Sequence, residues 1–164
     1  MSWIKRLSAP ILLIVLSSLI GLLLVEFALR VINANDSWER TRDANILRSI
    51  QYSYDVSQLY ENDTPVVDYV RNQYGLRDSC KSPLEVDILT VGGSTTDQRY
   101  VSYSSTYQAT LEKILKNSNE KFGCVTNAGV DGHSIYGHQF SFDHWFPLIP
   151  DLEPKIILLY VGIN

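Results

Sequence analysis

Three short apolar runs, each closed by a motif of small or amide-bearing residues, constrain this chain more than any other feature in it. They carry "ILTVGGSTTD" (residues 88–97), "NAGVDGHS" (residues 127–134) and "YVGIN" (residues 160–164). Runs of this length read as strands, here expected over 86–91, 124–128 and 155–161, the first and last rich in Val, Ile and Leu. The last run is almost continuously apolar, as a parallel strand buried on both faces should be. Between the first two runs, Ser105 and Gln108 have capping-box spacing, and Tyr107, Leu111, Ile114 and Leu115 recur on one helix face in a helix expected to end near Gly123. Between the second and third, 134–146 reads as an aromatic-rich helix broken by Pro147, Pro150 and Pro154. Alternation of this kind is the signature of an α/β fold with a parallel sheet and helices on its faces. All three motifs then fall at the carboxyl ends of strands, the edge where open α/β sheets place their ligands.

The motif residues suit that edge. Gly92 and Gly93 let the chain turn sharply, so that Ser94 stands at the start of a helical turn with its hydroxyl exposed, where amide dipoles favour negative charge. Gly132 can aim a backbone N–H at a substrate oxygen, and the Asn164 side chain, after Gly162, can supply another donor. Each has a plainer reading: a strand-to-helix turn with Ser94 as cap, a turn glycine, a strand-end asparagine. A phosphate loop is disfavoured, since neither spaced dinucleotide glycines nor a Gly-Lys-Ser/Thr triplet is present. What favours chemistry is that three such residues occur in order on alternating elements.

His133 follows Gly132 and could reach the mouth of such a site, which makes it a candidate substrate contact. His138 and His144 read as helix-surface or core-edge residues, and the histidine spacings of five and six do not form a helical metal pair. There is no CxxC or Cys/His cluster, so neither a metal nor a cofactor is implied.

The amino terminus imposes a second constraint. Residues 9–25 carry no charge, and the apolar run continues past Glu26 and Arg30 to about residue 32. About 20 apolar residues cross the ~30 Å hydrocarbon layer, so 9–32 is expected to be a transmembrane helix, capped by Ser8 with Pro10 in its first turn. Glu26 and Arg30, four apart, can pair on one face. Lys5 and Arg6 favour a cytoplasmic residue 1–8 segment and a periplasmic or otherwise extracytoplasmic domain. A cleaved signal peptide is the rival reading, although its apolar core is usually shorter and Ile32-Asn33-Ala34 is a poor exit.

Formal charge is −4 overall; setting aside Lys5, Arg6, Arg30 and Glu26 leaves 11 basic and 17 acidic residues beyond Asn33. That excess of acid argues against a nucleic-acid binder. Residues 33–82 are polar and tyrosine-bearing, and are expected to form a stalk or collar before a domain over 83–164. Within the collar "VVDYV" is β-prone, Asn72 and Gly75 flank a turn, and Arg77 is expected to pair with a carboxylate of the domain. Export would permit a Cys80–Cys124 disulfide, with two buried free thiols the alternative.

"GGST", "NAGVDG" and "GIN" resemble the first three blocks of the SGNH (GDSL-type) hydrolase family, and "NQYGLRD", "TYQATLEKIL" and "LEPKIILLYVGIN" resemble its membrane-anchored bacterial branch. The likeness runs from about Asn72 to Asn164. It implies a flavodoxin-like three-layer α/β/α sandwich, Ser94 as nucleophile, and Gly132 and Asn164 joining the Ser94 N–H in an oxyanion hole. The family's GDS is here Gly92-Gly93-Ser94, a variant common in the anchored branch. The family's last block, an aspartate and a histidine three positions apart, has no counterpart in these residues, nor has the aspartate that commonly follows the third-block asparagine. The expected function is an anchored esterase acting on a small acyl ester, such as an acetylated sugar. A polysaccharide O-acyltransferase using the same serine, or a non-catalytic relative binding glycan or a partner, are the alternatives. By themselves these 164 residues are expected to turn over negligibly.

Overall fold

The computed structural model describes residues 3–35, 37–60, 66–118 and 124–162. The chain divides into two compact units, Met1–Ser37 and Trp38–Asn164.

The first unit is a single helix, α1 (Trp3–Asn35). Its stretch Pro10–Val31 has a mean hydropathy of 2.6 and buries none of its residues, so it is long and apolar enough to cross a membrane. Glu26 accepts from Arg30 Nε at 2.9 Å, the pair expected from their spacing. The helix begins earlier than expected: Ser8 and Pro10 lie inside it, so Ser8 is not its cap. Pro10, inside the helix, has no N–H to donate to the preceding turn.

The second unit opens with α2 (Ser37–Asp43), whose Trp38 begins the unit, and a hairpin of β1 (Ile50–Asp55) and β2 (Val66–Arg71), paired antiparallel with Tyr52 opposite Tyr69. β2 alternates cleanly: Val67, Tyr69 and Arg71 are buried while Val66, Asp68 and Val70 are exposed. Asn72 closes the following turn by accepting from the backbone N–H groups of Tyr74 and Leu76, and Gly75 adopts φ +83° there. The region expected as a stalk therefore joins the domain from Trp38 onward. Ile46 and Leu76 sit in the same core as the sheet, because isolated apolar side chains in a polar stretch still bury when a hairpin presents them together.

The three-stranded parallel sheet has the order β4-β3-β5, with β3 (Val86–Gly92) central, β4 (Cys124–Asn127) on one side and β5 (Ile156–Tyr160) on the other. Every residue of β3 is buried. Leu89 and Val91 point into a cluster with Trp145, Ile149, Ala128 and Val130, while Thr90 faces the opposite way and accepts from Gln108 of α4 (Tyr107–Asn117). Trp145 is fully buried and donates its Nε1–H to Tyr74 O at 2.7 Å, tying the aromatic helical segment to the collar turn. Losing such a ring to alanine costs about 3–5 kcal/mol.

Several local expectations shift. The α4 cap is Thr106, which accepts from Ala109 N, rather than Ser105; Ser105 ends a short 3-10 turn instead. Of the proposed α4 face, Ile114 is 60% exposed, and the residue α4 buries is Gln108. α4 ends at Asn117, with Ser118 as cap; Gly123 lies outside the described residues. The segment after β4 is helical as α5 (Ile135–Phe140), then widens into a π-turn over Ser141–Trp145 and tightens over Phe146–Leu148. β5 was expected to be buried, yet all five residues are exposed, because it is the sheet's edge and no described element covers it.

Cys80 and Cys124 form a disulfide, their Cα atoms 5.8 Å apart. It fastens the segment leading into β3 to the first residue of β4, which resolves the alternative of free thiols.

Candidate active site

The residues after β3 form a single turn of helix, α3 (Ser94–Asp97), preceded by Gly93 at φ −86°, ψ −147°. Gly92 must be glycine: a Cβ there would lie 2.7 Å from Tyr160 O and 2.8 Å from Thr96 Cβ. Ser94 is the first residue of that turn and is exposed, whereas Thr96 and Asp97 are buried beneath it. As in any helix start, the Ser94 and Thr95 N–H groups have no acceptor within the turn.

The loop after β4 runs alongside. Ala128 N donates to Thr90 O at 2.8 Å and Val130 N to Gly92 O at 3.0 Å, so residues 128–130 continue the parallel register past the strand end before the chain turns, with His133 N donating to Val130 O. Asn127 locks the two motifs together: its Nδ2 donates to Thr96 O at 2.7 Å and its Oδ1 accepts from Gly129 N at 2.8 Å. Gly132 then lies exposed in a turn at φ +80°, with open space where a Cβ would project. Ser94 and Asp131, the neighbour of Gly132, line one cavity of about 350 Å³, together with Tyr60, Gln98, Arg99 and Tyr100. Asn164 lies outside the described residues.

His133 does not face that cavity. It is buried, and its Nε2 donates to Ala44 O at 2.7 Å, which turns the ring away from the expected substrate contact. Its ring packs so closely on Gly137 that a Cβ there would come within 2.6 Å of it. Burial holds the His133 imidazole below its usual pKa, against the raising effect of the Ala44 carbonyl. His138 is buried beside it, with ring centroids 6.0 Å apart, and is shifted down by burial and by that neighbour. His144 is exposed. Among the described residues no group of three His, Cys, Asp or Glu side chains is placed to hold a metal ion.

Beneath the Ser94 turn sits a buried polar cluster that sequence reasoning missed. Asp97 Oδ1 accepts from Arg71 Nη2 and from Tyr69 OH, both at 2.6 Å. Arg71 also donates to Tyr69 OH, Gly75 O and Gly129 O. Arg77 was expected to pair with a carboxylate, but its guanidinium instead donates to the backbone carbonyls of Asp97 (3.1 Å), Gln98 (2.8 Å) and Val101 (2.6 Å). The ion pair belongs to Arg71, six residues earlier. Arg71, Arg77 and Arg99 all lie 5.1–5.5 Å from the Tyr69 ring centre, a cation–π arrangement. Burial raises the Tyr69 hydroxyl to about 12, so it donates to Asp97 across the neutral range. The only signal in the sequence was proximity of Asp97 and Arg99 to the "GGST" motif; nothing in periodicity separates these charges from solvated ones.

No protein-family model, curated protein or solved structure matches the chain.

Proposed function

We propose that the domain carries a serine acyl-transfer site of the SGNH (GDSL-type) hydrolase kind, on a flavodoxin-like α/β/α sandwich held at a membrane by the N-terminal helix. The observation that supports this most is the exposure of Ser94 at the head of the turn leaving the central strand, with the Gly132 loop hydrogen-bonded alongside. In this reading Ser94 Oγ attacks the carbonyl carbon of an acyl ester. The new O–C bond forms as the proton leaves to a base, and collapse of the intermediate breaks the bond to the departing alkoxide. The N–H groups of Ser94 and Gly132, with the Asn164 amide, hold the developing oxyanion. One such donor is worth about 10²- to 10³-fold in rate.

The three histidines do not serve as the base: His133 is spent on Ala44, His138 is buried beside it, and His144 lies on the exposed side of its helical segment. Loss of the base costs up to about 10⁶-fold, so turnover in this reading needs a base other than these three histidines. The acyl group is small, as in an acetylated sugar, and water or a sugar hydroxyl takes it from Ser94 according to which reaches the site.

Exposure to p-nitrophenyl acetate with added imidazole, followed by peptide mass spectrometry, tests the reading. Acetyl is expected on Ser94 in preference to the exposed Ser104 and Ser105, with p-nitrophenolate released and the proton taken by imidazole. Ser94→Ala should lose the modification. Acetyl groups spread evenly over the exposed serines would overturn the proposal, as would turnover above the imidazole-only background that survives Ser94→Ala.

A further inference from the structure

We propose that the cavity beside Ser94 is a subsite for a carboxylate-bearing sugar, so that the ester offered to the serine belongs to an acidic glycan. The inference rests on the acyl-serine reading and names its substrate class.

Three arginines near the Ser94 turn are unequally employed. Arg71 and Arg77 are buried, and their donors are met at short range by Asp97, Tyr69 and five backbone carbonyls. Arg99 lines the cavity with its side chain 22% exposed. Its contacts are at the outer limit: Nη2 is 3.4 Å from Asp97 Oδ2 and Nη1 is 3.6 Å from Asp131 Oδ2. Its Nε is buried without a hydrogen-bond partner among the described residues, so the donors it can offer a ligand are those of Nη1 and Nη2. A guanidinium presents five donors in a planar fork matched to a carboxylate, and two charge-assisted bonds of about 2.8 Å are stronger than these loose contacts.

The other walls specify the rest of the ligand. Tyr60 and Tyr100, 42% and 46% exposed, line the same space. A tyrosine offers a flat apolar face with a polar edge, which suits the C–H face and hydroxyls of a pyranose. Gln98 adds a side-chain amide to the wall. The charge of the ligand is bounded as well. Among the described residues Arg99 is the one guanidinium lining the cavity; the wall also carries Asp97, whose charge is met by Arg71, and Asp131, so a dianionic phosphate would meet more repulsion than a single carboxylate. A volume of about 350 Å³ lies at the small end of ligand cavities, room for one or two sugar rings, so one uronate of a longer glycan occupies it and the remaining rings extend outside.

Of the two carboxylates near Arg99, Asp97 is already held by Arg71, which leaves the exposed Asp131 as the competitor a substitution can remove. Its side chain is 47% exposed and its hold on Arg99 is long, so removing its charge should free the guanidinium. This gives a variant whose expected effect is a gain, which misfolding cannot mimic.

The test is isothermal titration calorimetry of the full chain in detergent with trigalacturonate, its neutral trimethyl ester, and acetate. Trigalacturonate should bind at least about 10-fold more tightly than the trimethyl ester. Asp131→Asn should tighten it about 3-fold or more, Arg99→Gln should weaken it about 10-fold, and Arg99→Lys should recover part of that loss. Equal affinity for acid and ester, or no gain in Asp131→Asn, would overturn the subsite. Acetate binding as tightly as the trisaccharide would overturn its assignment to a sugar. Selective acetylation of Ser94 without trigalacturonate binding sinks this inference alone; binding without selective acetylation sinks the acyl-serine reading and leaves a glycan site.

Discussion

Arg71 Nη2 lies 2.6 Å from Asp97 Oδ1, with both side chains almost wholly buried, and this contact joins the β-hairpin to the turn that carries Ser94. A buried pair is strongly felt when only one partner is removed, because the other charge is left without compensation. Arg71→Met should therefore destabilise the domain by about 3–5 kcal/mol. The double variant Arg71→Met/Asp97→Leu should be less damaged than the sum of the single changes. Urea unfolding of the full chain in detergent, followed by tryptophan fluorescence, checks both. Additive losses would mean that the two side chains do not act as a pair.

The same cluster sets an alkaline limit. Burial comes first among the causes that raise Tyr69 from 10.0 to about 12. The folded state thus holds the phenolic proton more tightly than the unfolded chain. The resulting stability is fully present below about pH 10 and is lost as pH rises towards 12. Tyrosinate absorbance should show one phenol titrating late, absent in Tyr69→Phe, and that variant should lose part of the alkaline dependence of its urea midpoint.

Two glycines of the second motif should respond differently to the same change. A Cβ on Gly129 would collide with the backbone of Asp97 and sit 2.6 Å from Thr96 C, with no flexible side chain to give way. A Cβ on Gly132 would meet open space, so its only penalty is the left-handed φ of +80°. Gly129→Ala should cost several kcal/mol, as an overpacked core site costs ~1–3 and occasionally more, and Gly132→Ala about 1 kcal/mol. Thermal unfolding separates the two. Under the acyl-serine reading, Gly132→Ala should also slow acetylation of Ser94 if the strained turn re-aims its N–H.

What could be read beforehand divides along physical lines. The three strands of the parallel sheet, the β-prone run of β2, the disulfide alternative, the Asn72–Gly75 turn and the exposed Ser94 were legible because they rest on local rules: run length, glycine freedom and strand-end placement. The Arg71–Asp97 pair was not, since it joins residues 26 apart through a hairpin that had to fold first. Residues 38–82 looked like a collar because their apolar side chains are scattered, and only tertiary contact gathers Ile46 and Leu76 with Trp145. His133 misled for the opposite reason. Adjacency to Gly132 suggested the cavity, but successive residues in a turn point different ways, and the ring went to Ala44.

That ring and its neighbour set the acid limit. His133 and His138 are both held below 6.5 chiefly by burial; Arg71 adds to the lowering of His133, and His133 to that of His138. Neither His138 nitrogen has a hydrogen-bond partner among the described residues, so protonating it buries a cation without compensation. A folded pKa below the unfolded value means that the unfolded chain takes up protons first. The stability is therefore fully present above about pH 6.5 and is lost as pH falls through the lowered folded values. His138→Leu removes the group and its unmet donor together, so it should leave stability at pH 7.5 to ~8 nearly unchanged and flatten the fall between about pH 6.5 and 5. Because His133 directly follows Gly132, the acid transition should loosen the 128–133 loop before the sheet. Amide exchange should rise first at Gly132 and His133 while β3 stays protected, and simultaneous loss of both would show that the histidine pair has no separate influence on that loop.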